Sequence, residues 1–258
     1  MILKIIMKMK YKIFNNSDFE MIKYNNKIII KDKNENKYYE VDETQFDESK
    51  DIEWKNYHSI INDKIFIIYI LTFILLFIIN VNFYISYKTI GNYNNLVITI
   101  LFIIYTSINI IIHELSHILS LKIFNRKIDK FGFKFNYIFP SFYVRMNDVH
   151  MLSRNEKVLV HSAGLYVNML FNVIFIFIAY KLKLNNLLIV CQLFIFGIFM
   201  NSVPILNSDG YKMMLSIFMY NEKKEKIYNS NIIKFLSFIN VLVALAYLIK
   251  IALNFFKR

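Results

Sequence analysis

Ile65–Ser86 is a run of 22 residues without one charged side chain. A helix needs about 20 apolar residues to cross the hydrocarbon core of a bilayer, so this run is long enough to span one. Four further apolar runs follow: Leu96–Phe124, Val158–Tyr180, Leu187–Val203 and Ile232–Phe256. Backbone groups in lipid must be satisfied within the structure, and uninterrupted apolar runs of this length do so as helices. The expected fold is therefore an α-helical polytopic membrane protein with about five transmembrane helices. The stretch Val203–Phe218 is apolar but interrupted, and is expected to bend rather than span.

Charge is unevenly placed. Residues 1–64 contain twelve Lys and twelve acidic residues, so the net +12 of the chain arises wholly from residues 65–258. That part has seven acidic residues, and five of them (Asp129, Asp148, Glu156, Glu222 and Glu225) read as polar-loop residues. Only Glu114 lies within a long apolar run, with Asp209 at the end of another. The Lys and Arg residues cluster in 122–157 and 209–231, beside apolar segments, where they read as topology signals and lipid-headgroup contacts. No DNA- or RNA-binding motif accompanies them, so no nucleic-acid partner is expected. By the positive-inside rule the N-terminus and both basic loops face the cytosol of a multi-pass cell-membrane protein. The excess of Ile, Asn, Lys and Tyr points to an AT-rich, bacterial genome. The single Cys191 excludes a disulfide framework and a cysteine metal site.

Residues 1–63 read as a small β-rich cytosolic module and linker ahead of a membrane domain at 64–258. Within the module, "KYNNKIIIKDKNENKYYEVDE" has two strand-like runs around "DKNEN", the pattern of a hairpin. "TQFDESKDIEWKNYHS" then reads as the link to the membrane. In the first basic loop, Phe131, Phe133, Phe135 and Tyr137 alternate with smaller or polar residues. That alternation predicts a β-hairpin, with "FPS" at 139–141 as its turn.

The apolar run Leu96–Phe124 contains "HELSH" at 113–117. On a helix, His113 and His117 lie one turn apart on one face and can both reach one zinc ion. Glu114 is then placed as general base for a metal-assisted hydrolysis, which is the logic of the HExxH pattern. In water the bland alternative of two core histidines beside an unrelated Glu would carry weight. In lipid each such group costs roughly 2–3 kcal/mol or more, and ionisable groups there are usually functional.

Zinc in a hydrolytic site takes three protein ligands and keeps a position for water. His58, His150 and His161 are available, but Asp209 fits better. His113 lies 17 residues past Leu96, roughly 26 Å along a helix, and Asp209 lies 22 residues past Leu187, roughly 33 Å if helical throughout. The second and fourth segments run in the same direction, so both residues arrive near the cytosolic boundary. In "NSVPILNSDG" Pro204 breaks the helical ladder and Gly210 permits close approach, while Asn201 is placed to bind backbone exposed by the break.

These places together resemble the site-2 protease family of intramembrane zinc metalloproteases. "HELSH" resembles its HExxH in a membrane helix, and "NSVPILNSDG" its Asn-x-x-Pro followed by Asp-Gly. "SAGLYVNMLFN" at 162–172 is similar to its Ala-Gly…Asn segment through Ala163, Gly164 and Asn168. The resemblance covers about residues 96–214. It implies one zinc ion per chain held by His113, His117 and Asp209, with Glu114 activating water and Asn201, Pro204 and Asn168 positioning substrate. It implies too that the Phe-rich hairpin pairs with an extended substrate. Ser208 and Ser202 depart from residues frequent in the family, without removing a ligand. The compact form, with a short N-terminal module, is similar to members associated with maturation of secreted or modified bacterial peptides.

The expected function is zinc-dependent hydrolysis of a peptide bond in a membrane-embedded or membrane-associated protein or peptide precursor, near the cytosolic face of the bilayer. A rival of another class is an inactive membrane protein that keeps the fold to bind a peptide or confer immunity to one. A proton or ion pathway would need polar residues along several helices, whereas the ionisable ones here cluster at one depth.

Overall fold

The computed structural model describes residues 9–46, 52–87, 94–136, 139–203, 208–221, 230–231, 233–235 and 238–239. Pro204 and nearly all of the expected fifth membrane segment, Ile232–Phe256, lie outside these residues. The chain divides into two units, one formed by residues 1–69 and 117–160, the other by 70–116 and 161–258.

The first unit is built on a five-stranded antiparallel sheet in the order β4-β3-β2-β1-β5. Its strands are β1 (Lys12–Asn15), β2 (Phe19–Tyr24), β3 (Lys27–Asp32), β4 (Lys37–Asp42) and β5 (Lys55–Asn56). The β2–β3 turn consists of Asn25 and Asn26, both at positive φ, which is the backbone that a two-residue hairpin with native twist requires. The β3–β4 turn is the expected "DKNEN": the Asp32 side chain accepts from the N–H groups of Asn34 and Glu35 at 2.9 and 3.0 Å. The sheet's buried side chains include Ile22, Tyr24, Ile28 and Ile29. The supposed linker contributes β5, which pairs with β1.

Three buried ion contacts bind this sheet and the segment 52–61 to residues 126–156. Arg126 Nη1 donates to both carboxylate oxygens of Glu20, at 2.7 and 2.9 Å. Burial opposes the Arg126 charge, but Glu20 outweighs it and holds the guanidinium above its usual range. Asp148 accepts from Lys31 Nζ, from Tyr38 Oη at 2.5 Å and from the Lys127 N–H at 3.0 Å. Glu156 accepts from Tyr57 Oη, Ser59 Oγ, the Ile60 N–H and both the N–H and Oγ of Ser153. Beside these contacts Ile61, Leu121, Phe124, Val149, Leu152 and Val160 form an apolar core.

The helices are α1 (Asp63–Ser86), α2 (Asn95–Ile123), α3 (Arg154–Lys181), α4 (Asn185–Ser202) and α5 (Asp209–Phe218). Among the described residues α1 to α4 are long and apolar enough to cross a membrane. In the second unit their inward faces meet at Leu76, Tyr105, Leu165, Met169, Val190, Cys191, Phe194 and Ile198. Their outward faces expose Leu71, Leu75, Ile78, Ile103 and Ile104, with Leu71 61% exposed. So many bare aliphatic side chains suit lipid and not water. The protein is a polytopic membrane protein with a small β-rich N-terminal part.

Two expectations need correction. Phe139–Ser141 is not a turn but the start of a strand: β6 (Lys130–Asn136) and β7 (Phe139–Arg145) pair up to Asn136 opposite Phe139. Pro140 is tolerated because a two-stranded ribbon leaves each strand one unpaired edge. Glu156 is not in a polar loop: it lies in the first turn of α3, where its carboxylate reaches back to accept from the Ser153 N–H, one arm of a capping box.

Candidate metal centre

His113 and His117 lie one turn apart on α2, both buried, and each imidazole is held through Nδ1. The His117 Nδ1 is 2.7 Å from the carbonyl oxygen of Val160. A carbonyl only accepts, so that nitrogen carries the proton and Nε2 is left with its lone pair. The His113 Nδ1 lies 3.1 Å from the side-chain amide of Asn168 on α3. Gly164, one turn before Asn168, makes room for this ring: a Cβ added there would overlap the imidazole of His113.

Asp209 reaches the same place from a separate element. It opens α5 rather than extending α4, which ends at Ser202, so the geometry of one continuous helix does not apply. Ser208 caps α5, accepting from the Tyr211 N–H at 3.2 Å and donating to the Val203 carbonyl at 2.6 Å. Gly210 is required by the close return of the chain, since a Cβ there would strike the Ser202 carbonyl. Asn201 closes the join: its Nδ2 donates to Asp209 Oδ2 at 3.0 Å and its Oδ1 accepts from the Asp209 N–H at 3.1 Å. The carboxylate therefore sits at a helix N-terminus, where the dipole favours negative charge.

Asp209 Oδ2 lies 2.7 Å from His113 Nε2, and one ligand atom from each of His113, His117 and Asp209 lies within 4.8 Å of the others. Two imidazole nitrogens and a carboxylate oxygen, all buried, are the donor set of a hydrolytic zinc site, and the hydrogen bonds behind His117 and Asp209 are supports such ligands need. The residues fit zinc. Glu114, next to His113, is half-buried on the same helix.

The other histidines lie outside this cluster: His58 is exposed, and His150 packs against the ring of Tyr38. Asn201 and Asn168, expected to position substrate, contact Asp209 and His113 directly. Gly164 and Val160 were not read from sequence as supports of the histidines. Only the small residue at 164 hinted at close helix packing.

Two buried histidines on a membrane-length helix, joined by a buried carboxylate from a short one, define a class, the membrane metalloproteins with a hydrolytic donor set. The comparison with known proteins is narrower. The "Putative peptide zinc metalloprotease protein YydH" of Bacillus subtilis (strain 168) is 36% identical to this chain over 221 residues, covering 83% of the chain and 86% of the relative. The chain belongs to this zinc metalloprotease family. No protein-family model and no solved structure matches it.

Proposed function

We propose that this protein is an intramembrane endopeptidase of the site-2 type, with one zinc ion per chain. Its substrate is a membrane-embedded or membrane-associated protein or peptide precursor, cut near the cytosolic face, in the processing of a secreted or modified bacterial peptide. The observation that carries the reading is the convergence of His113 and His117, with Glu114 beside them on a helix of membrane length, with Asp209 at the start of α5. The relative's printed name, a peptide zinc metalloprotease, supports a peptide substrate. The N-terminus is assigned to the cytosol from the lysine and arginine distribution.

A zinc ion at this centre supplies Lewis-acid activation of water and of the scissile carbonyl. The residues of the chain do the rest. His113, His117 and Asp209 hold fixed, deprotonated donor atoms. Val160 and Asn168 keep the rings aimed, and Asn201 keeps the carboxylate aimed. Glu114 accepts a proton from the attacking water and delivers it to the departing amine, the general acid–base role that its place beside His113 allows. Burial of the ligands excludes bulk water, which strengthens each of these polar interactions.

The test is Glu114→Gln in purified protein, measured on a precursor peptide that the wild type cleaves. Cleavage falls at least a hundredfold while bound zinc is unchanged. Cleavage at the wild-type rate overturns the mechanism and favours a scaffold that only binds peptide.

A further inference from the structure

Behind His113, away from Asp209, a row of amides and one phenol runs through the apolar core. On α2 it comprises Tyr105 and Asn109, each one turn from the next and Asn109 one turn before His113; on α3 it comprises Asn168 and Asn172. Tyr105 Oη donates to Asn172 Oδ1 at 2.8 Å, and Asn172 Nδ2 donates to Asn80 Oδ1 on α1 at 2.7 Å. Asn80 Nδ2 is anchored in turn on the carbonyls of Leu76 and Met169, at 2.8 and 3.3 Å. This end of the row is satisfied.

The end beside His113 is not. Asn109 and Asn168 are both buried, and the Oδ1 of each has no hydrogen-bond partner among the described residues. The two amides lie at one level of the helix pair. Tyr105, one turn below Asn109, bonds Asn172, one turn beyond Asn168. His113, one turn above Asn109, lies against Gly164, one turn before Asn168. Two unsatisfied acceptors in an apolar core are each destabilising.

The orientation of the Asn168 amide links this defect to the metal centre. Nδ2 of Asn168 faces His113 Nδ1, an arrangement in which Nδ1 accepts and Nε2 carries the proton shared with Asp209. An imidazole that ligates through Nε2 instead has its proton on Nδ1 and needs an acceptor there. Which way an amide points is fixed by its hydrogen-bond network, and half a turn about its last bond exchanges the two atoms. That rotation gives Oδ1 of Asn168 to the His113 Nδ1–H. It also frees Nδ2 of Asn168 as a donor at the level of the helix pair where the Oδ1 of Asn109 has no partner among the described residues.

We propose that Asn168 and Asn109 are positioning residues for the metal ligand His113, joined as a chain from Asn109 Oδ1 through the Asn168 amide to the Nδ1–H of His113. Asn109 holds the amide in the orientation that leaves Nε2 free to ligate, and Tyr105 and Asn172 hold the helices in register below it. This extends the zinc site described under Proposed function and depends on zinc binding, not on peptidase activity.

Zinc affinity, measured by chelator competition on the full-length protein in detergent, tests it. Asn168→Leu and Asn109→Leu each weaken zinc binding about 10- to 100-fold. The double variant is no weaker than the worse single one, because both act through one chain. Asn168→Asp offers only acceptors to Nδ1–H and stays within about threefold of wild type. If a leucine variant fails to fold, Asn109→Ser, too short to reach Asn168, carries the same expectation of weaker binding. Wild-type affinity in Asn109→Leu or Asn109→Ser, losses that multiply in the double variant, or an Asn168→Asp as weak as Asn168→Leu each overturns the proposal. A wild type that binds no zinc removes the site itself, whereas zinc binding that is indifferent to these variants leaves the site standing and defeats only the chain.

Discussion

Asn201 grips Asp209 by two hydrogen bonds, one to its carboxylate at 3.0 Å and one from its backbone N–H at 3.1 Å. The two residues belong to different helices, α4 and α5, so this contact sets where the carboxylate of Asp209 stands relative to α4. Its loss frees the carboxylate to rotate and leaves the N–H of Asp209 without its acceptor. Asn201→Leu lowers zinc affinity about 10- to 100-fold, the usual effect of removing a support behind a metal ligand. Ser202→Ala, which loses only a hydroxyl bonded back to the Ile198 carbonyl, keeps wild-type affinity. Chelator competition on both variants makes the comparison.

Gly164 is the second tight contact. Its missing side chain is the space that the imidazole of His113 fills, so even alanine must displace the ring or part the helices. Overpacking of this kind costs about 1–3 kcal/mol. Because the displaced group is the proposed metal donor, Gly164→Ala lowers zinc affinity about tenfold, which corresponds to about 1.4 kcal/mol. Gly197 offers a matched control: a Cβ there meets nothing within 4 Å, and Gly197→Ala leaves zinc binding unchanged. Equal affinity in the two variants removes the steric argument.

The two motifs of the candidate metal centre are legible in the sequence because their chemistry is local or nearly so. Two histidines at helical spacing need no fold to be read, and Asp209 was found from its unusual place at the end of an apolar run. The N-terminal sheet was half legible. β3 and β4 announce themselves around a polar turn, whereas β5 is two residues long and exists only because β1 lies beside it. Glu156 was misread because "SRNEK" looks solvated, although Ser153 three residues before it is a capping-box spacing. Its other partners, Tyr57, Ser59 and Ile60, are nearly a hundred residues away, and no local pattern reports them. The amide row behind His113 left a trace: single asparagines spaced by four in otherwise apolar helices.

Asp148 makes the N-terminal sheet's attachment dependent on acid. Burial works against its charge, but the hydrogen bonds from Lys31, Tyr38 and the Lys127 N–H outweigh burial and hold its carboxyl below the ordinary range. A carboxyl lowered in the folded state stabilises that state above its ordinary value near 3.9, and the contribution is lost as pH falls through the lowered value. Trp54, packed edge-on against Phe14, is the single tryptophan and lies in this unit. Its fluorescence stays constant from neutral pH down to about 4 and changes below that. Asp148→Asn gives a protein less stable at neutral pH, with a flatter acid response. An unchanged acid transition in that variant shows that another carboxylate governs it.

Glu156 is held by five hydrogen bonds. It is fully buried, and its oxygens accept from Tyr57, Ser59, Ile60 and Ser153. Burial and then the neighbouring carboxylate push the Tyr57 phenol up, so it stays a donor throughout the neutral range. The acceptor gathers the segment before α1 onto the start of α3 and caps α3 at the same time. Glu156→Leu removes the acceptor and leaves these donors buried without it, at a cost on the order of 3 kcal/mol. The effect is local, so the thermal transition reported by Trp54 moves to lower temperature while zinc stoichiometry at low temperature is retained. Glu156→Gln keeps one acceptor oxygen and falls between the leucine variant and wild type. A leucine variant as stable as wild type would mean that the segment from Tyr57 to Ile61 is held by its apolar contacts alone.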